Sequence, residues 1–261
     1  MIALALLLHI SAPTQDGPAV APISTAPSPG PGDTIARFLD LNKAGRLDSK
    51  DGRALFGGEL AQMRASTLGP LTASDKIIAV GDAVAVARLP ANSGNPTDIY
   101  LYLGITASGA WAIEAIRALA LPQFVATLRN DLIQRASRTE EEEHTLAQID
   151  LMMRSDAQLR QWFIDNRGKM DALRKVALAE GSGAGSRRIE SDAARTALGE
   201  IHGSTLELSD TGAVIVTLGG IVDNTVGFLF APHANAAPQI GTGSYIWVEP
   251  VGDGWFLFKT T

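Results

Sequence analysis

The sequence predicts an α+β protein with two β-rich parts, each accompanied by its own helices, and three observations carry that expectation. From Asp33 to Arg117 the apolar residues recur first at helical spacing and then alternate with period two. Between Leu119 and Leu198 the helical spacing returns, punctuated by capping boxes. From Ala213 to Thr261 the chain carries two hairpin signals. Helices followed by an antiparallel meander make a layer in which the helices cover one face of the sheet.

Totals set the outer bounds. At 261 residues, 46% apolar and 19% charged, the composition is globular and the length suits one or two domains. A net charge of −6 argues against nonspecific nucleic-acid binding, which needs clustered Lys and Arg. No run reaches the roughly 18 apolar residues of a membrane span. Zero cysteines exclude disulfides, thiolate nucleophiles, Cys-ligated zinc and a lipidated cysteine, and no cofactor is expected.

Residues 1–12 read as a signal-like segment, with the apolar run Ile2–Leu8 as its core and no Lys or Arg before it. Residues 13–32 hold six of the thirteen prolines and read as a tether. Folding is expected from residue 33, with residues 33–120 as one α+β domain and 121–261 as a helical segment plus a C-terminal β-meander. Asp33 is a good N-cap, Ile35, Phe38, Leu39 and Leu41 give one helical face, and Gly45 is a natural stop. A second helix is expected after Asp48, through Leu55, Phe56, Leu60 and Met63. Lys76–Val80, Ala83–Leu89, Asp98–Leu103 and Ala110–Arg117 read as four strands.

Leu121-Pro122 opens the middle helices. Thr139-Glu-Glu-Glu142 and Ser155-Asp-Ala-Gln158 are capping boxes for the next two, and Gly168 is a candidate break. Gly181–Ser186 is a loop, with a last short helix over Ile189–Leu198. In the final part, Asp223-Asn224 is the expected turn of the first hairpin and Gly252-Asp253-Gly254 that of the second. The aromatics Phe228, Phe230, Trp247, Trp255, Phe256 and Phe258 fall on these strands and should dominate the buried area there.

The two short helices, the phrase FLDLNKAGRL, the turn Val80-Gly81-Asp82 and the last strand GAWAIEAIRAL together resemble the nuclear-transport-factor-2-like domains of bacterial envelope proteins. That resemblance, over residues 34–120, implies a cone-like helix-plus-sheet domain enclosing a cavity. The phrases RTEEEEHTL, SDAQLRQWFIDN, GGIVDNTVGFLFAP and GDGWFLFKTT resemble an uncharacterised bacterial exported-protein family, which implies export and brings no activity with it.

Few residues invite a chemical role. No two of His9, His144, His202 and His233 are spaced to share a helical face, so a histidine metal site is not expected. The acidic run Glu140–Glu143 reads as a dipole-stabilised first turn. The glycines of 181–186 follow no strand and lack the Lys-Ser/Thr of a phosphate loop, and Ser204 lacks the flanking glycines of a nucleophile elbow.

Arg88 and Arg117 are the sharper candidates. If the strands pair in sequence, both stand at the same end of the sheet, Arg88 sharing a face with Val84 and Val86, Arg117 with Trp111 and Ile113. Two guanidiniums beside Trp111 at the mouth of an apolar cavity would suit a carboxylate or phosphate. The alternative is that each pairs with a carboxylate such as Asp40 or Glu114 or reaches solvent.

The reading favoured is a periplasmic or secreted, non-catalytic binding or interaction module, with a small apolar or anionic ligand or an envelope protein as partner. A small-molecule enzyme using the cavity and a purely structural protein are the alternatives. Two separate curved β-layers, each shielded by its own helices, are expected; one continuous sheet, or a buried ionisable pair within proton-transfer range, would overturn the non-catalytic reading.

Overall fold

The computed structural model describes residues 30–58, 60, 71–90, 97–180, 185–233, 236–241 and 245–261. The α+β class is observed. The first part comprises α1 (Pro31–Lys43), α2 (Lys50–Arg53), β1 (Lys76–Ala79), β2 (Val84–Leu89), β3 (Ile99–Ile105) and β4 (Trp111–Ala118). Helices α3 (Gln123–Gln134), α4 (Glu140–Met152), α5 (Asp156–Asp165) and α6 (Arg167–Glu180) follow. The last part adds β5 (Arg187–Arg188), α7 (Asp192–Gly199), β6 (Thr205–Leu208), β7 (Val214–Ile221), β8 (Asn224–Phe230), β9 (Tyr245–Gly252) and β10 (Trp255–Thr260).

The strands form two separate antiparallel sheets, one of order β1-β2-β3-β4 and one of order β5-β6-β7-β8-β10-β9. The first sheet buries Ala87, Leu89, Leu101, Leu103 and Ile113 against Ile35, Phe38, Leu47 and Phe56 of the N-terminal helical region. Its other face is not left to solvent: Val86, Tyr100 and Tyr102 pack on Ile246 and Trp247 of β9. Helices α3 to α7 cover one face of the second sheet through Phe163, Met170, Leu173, Phe228 and Trp255. Trp247 and Trp255 are both fully buried. Among the described residues no helix is long and apolar enough to cross a membrane.

Local sequence chemistry explains most boundaries. Both capping boxes form, Thr139 Oγ1 accepting the Glu142 amide at 3.2 Å and Ser155 Oγ accepting that of Gln158 at 3.3 Å. Asp33 sits inside the first turn of α1 rather than at its cap, where its carboxylate accepts the Gly30 amide at 2.8 Å. The second helix is a single turn capped by Ser49; Met63 lies outside the described residues. The break between α5 and α6 falls at Asn166, two residues before the glycine that suggested it, because Gly168 has already entered α6. The strand β5, which pairs with β6, lies where no β signal stood out.

Two bulges shift the strand geometry from strict alternation. In β4, Tyr102 pairs with Ala115 but Leu103 pairs with Ile113, so Glu114 is the extra residue. In β7, Thr217 pairs with Gly227 and Gly219 with Val226. The second bulge moves the first hairpin turn to Val222-Asp223, one residue earlier than Asp223-Asn224. Val222, 86% exposed, takes the positive φ of 55° there. The second hairpin turns at Asp253-Gly254 with φ of 48° and 80°, the left-handed pair a type I′ turn requires.

Candidate functional site

The bulge in β4 decides how the predicted arginines stand. Tyr100 pairs with Arg88 on one side and with Arg117 on the other, so all three side chains share one face. Trp111 pairs with Ile105 and lies with Ile113 on the opposite face, packed against the helical core. Arg117 therefore leaves the face of Trp111, contrary to strict alternation, because Glu114 adds a residue between them. Arg88 and Arg117 stand two strand spacings, about 10 Å, apart. Arg117 is exposed, whereas Arg88 is buried. The structure thus brings Arg88 and Arg117 into one row but does not bring either to Trp111.

What Arg88 meets is a set of acids from distant parts of the chain, rather than Asp40 or Glu114. Its Nε donates to Asp75 Oδ1 at 2.9 Å, and its Nη1 donates to Glu249 Oε2 at 2.9 Å and Asp156 Oδ2 at 3.3 Å. Helix α5 delivers Asp156 at its first residue, where the capping box of Ser155 starts the helix and the helix dipole favours a carboxylate. The Asp156 amide, one of the donors that a helix start leaves without an intrahelical partner, donates to Asp98 Oδ2 at 2.8 Å. Strand β9 delivers Glu249 and β10 delivers Lys259, which are in phase with Trp247 and with Leu257 respectively.

Each oxygen of the two fully buried carboxylates is taken twice. Asp156 Oδ1 accepts Tyr100 Oη at 3.1 Å and lies 2.7 Å from Lys259 Nζ, and its Oδ2 accepts from Arg88 and from Tyr100 at 3.0 Å. Glu249 Oε1 accepts from Lys76 at 2.6 Å and pairs with Arg160, and its Oε2 accepts from Arg88 and from Trp247 Nε1 at 3.1 Å. Lys259 makes an ion pair without hydrogen-bond alignment, and its ammonium also lies over the Tyr100 ring at 5.7 Å. The Tyr100 ring stacks on Trp247 at 5.0 Å, and Arg88 lies over Trp247 at 5.6 Å. Lys76, Arg88, Arg160 and Lys259 formally balance Asp75, Asp98, Asp156 and Glu249.

Titration behaviour follows from that packing. Burial pushes the Asp98 carboxyl above its ordinary range, and the neighbouring Asp156 charge acts in the same direction. Burial, with Asp156 and Asp98 beside it, raises the Tyr100 hydroxyl well above its usual value, so it stays a donor. Burial opposes the charge of Arg88, but its hydrogen bonds to Asp75 and the charge of Asp156 outweigh that, and its pKa is raised. Burial, then Arg160 and Arg88, lower Lys76.

A general base needs a lone pair open to a substrate. Here the carboxylate oxygens of Asp156 and Glu249 face fixed cations and hydroxyl or indole donors instead. The arrangement is suited to holding α5, β9 and β10 against the first sheet. The expectation of no buried ionisable pair within proton-transfer range is overturned by Asp156 and Lys259, both buried and 2.7 Å apart, so the non-catalytic reading loses that support. Glu249 and Lys259 each occupy an inward strand phase beside a buried aromatic or leucine, and that phase was the available signal.

Across β9 and β10 from Glu249 and Lys259, an open groove of about 560 Å³ runs between the edge strand β1 of the first sheet and those two strands of the second. Ile78, Val80, Ile240, Val248, Pro250 and Phe256 line it. A smaller one of about 380 Å³ lies where β4 runs into α3, lined by Leu119, Leu121, Val125 and Met153 among others. The chain matches no model of a known family, no curated protein and no solved structure.

Proposed function

We propose that this protein is an exported, non-catalytic binding module whose ligand is a small apolar molecule held in the groove between the two sheets. The reading takes the first part as a nuclear-transport-factor-2-like layer and residues 1–12 as an export signal. One observation carries it: the ionisable groups at the junction are consumed in pairing one another, while the adjoining groove is lined chiefly by aliphatic and aromatic side chains. Its volume falls in the range of about 300–1,000 Å³ typical of small-molecule sites. The ion cluster fixes the two walls of the groove, Ile78–Val80 on one side and Val248–Phe256 on the other, at a set distance. A preorganised wall of this kind reduces the ordering cost of binding.

The experiment is native mass spectrometry of the untagged chain recovered from the envelope fraction of its source cell. The expected result is a mature chain lacking its first residues and carrying a small-molecule adduct that Ile240→Arg abolishes. Intact chain in the cytosol, or an adduct unaffected by Ile240→Arg, overturns the reading.

A further inference from the structure

Helix α4 and the turn after α7 bring together two side chains that the sequence keeps 58 residues apart: His144 Nδ1 and His202 Nδ1 face each other at 3.4 Å. The rings are tilted at 59°, with centroids 5.3 Å apart. The two nitrogens meet at the long end of hydrogen-bond distance, beyond the about 2.7–3.2 Å of close N–H contacts. Their separation is that of two nitrogens bound to one tetrahedral ion. Metal–nitrogen bonds of about 2.0–2.1 Å at a tetrahedral angle place the donors roughly 3.3–3.4 Å apart.

The backbone at His202 supplies a second, independent observation. The turn closes α7 with hydrogen bonds from Ile201 and Gly203 to the Leu198 carbonyl, and His202 takes φ of 55°. Glycine ordinarily fills such a left-handed position after a helix, because a side chain there is strained. Gly203, which follows, is already needed for packing, as a Cβ there would meet Leu198 Cδ2 at 2.8 Å. A histidine held in a costly conformation with its ring aimed at another histidine points to a role for the ring. His202 is exposed and His144 half-buried, so an ion has a route in.

We propose that His144 and His202 form a site for a divalent transition-metal ion of the zinc class. Neutral imidazole is a strong ligand for zinc, nickel and copper, and two nitrogens at this distance would supply half of a tetrahedral shell. Among the described residues no group of three or more His, Cys, Asp or Glu is placed to hold a metal ion, so the pair would supply two ligands and water would supply the rest.

The test is calorimetric titration of the untagged full chain with Zn²⁺ at pH 7.5, with Co²⁺ absorption as a second readout. One saturable ion per chain is expected. His144→Ala and His202→Asn should each weaken binding by about tenfold or more, at least the loss seen when a ligand's supporting partner is removed. Asparagine tolerates the left-handed backbone, so His202→Asn keeps the turn, and unchanged far-UV circular dichroism confirms the fold. His233→Ala should bind as the unaltered chain does. Absence of saturable Zn²⁺ binding, or binding that survives both His144→Ala and His202→Asn, overturns the proposal.

Discussion

Arg88 and Glu249 are 161 residues apart in the chain, and their side chains meet at 2.9 Å in a position closed to solvent. The contact joins the first sheet to the edge strand of the second. Removing one partner leaves a buried charge uncompensated, and such losses cost about 3–5 kcal/mol. Glu249→Leu and Arg88→Met should each destabilise by that order in urea denaturation. The double variant keeps the remaining formal charges balanced and should lose clearly less than the sum of the two. Strict additivity in that double-mutant cycle would mean the pair does not couple the sheets.

Asp98 carries a pH signature of the opposite sign from most acids. Its folded-state pKa is raised, so the folded chain holds its proton at pH values where the unfolded chain has released it. The contribution is present below the ordinary carboxylate value of 3.8 and is lost as pH rises through the raised one. Asp98→Asn keeps an oxygen for the Asp156 amide and removes the charge. Thermal melts between pH 4 and pH 8 should show the variant losing less stability across that window than the unaltered chain. Identical pH profiles would count against burial as the cause.

Val222 holds a β-branched side chain at φ of 55° at the tip of the first hairpin. A left-handed residue with a Cβ costs roughly 1–2 kcal/mol, while glycine's added backbone entropy returns part of that. Val222→Gly should therefore raise stability by about 0.5–1 kcal/mol. A lower urea midpoint in the variant would refute the strain argument.

Gly227 lies at the middle of β8, where a Cβ would stand 2.2 Å from the Val216 carbonyl and 2.9 Å from Phe258 Cζ. Neither strand can move without breaking pairs on both sides, because β8 lies between β7 and β10. Gly227→Ala should cost about 2–3 kcal/mol, as overpacking does in a close-packed interior. Unchanged stability would show that the sheet yields more easily than its pairing implies.

How much of this was legible in the chain depends on how local the signal is. The capping boxes at Thr139 and Ser155 and the Asp253-Gly254 turn were readable because each is written within four residues. The four strands of the first sheet were readable from alternation. The bulges at Glu114 and near Leu218 were not, since an extra residue leaves no mark until the partner strand is known. Strict alternation consequently puts Arg117 on the face opposite to the one it occupies, and the first turn one residue late. Asp156 already had a sufficient local explanation as the first residue of a capped helix, which concealed its partnership with Arg88. His144 and His202 share no helix, so only the fold could pair them.

The charge cluster also constrains the order in which the molecule can mature. Asp75, Arg88, Asp98 and Asp156 emerge first, and Glu249 and Lys259 emerge about 100 residues after Asp156, a further delay of roughly 5–20 s at ordinary synthesis rates. During that interval Arg88 lacks Glu249, and Asp156 lacks Lys259. The nascent chain therefore has its two sheets unfastened until β9 and β10 are made, and those strands act as the clasp.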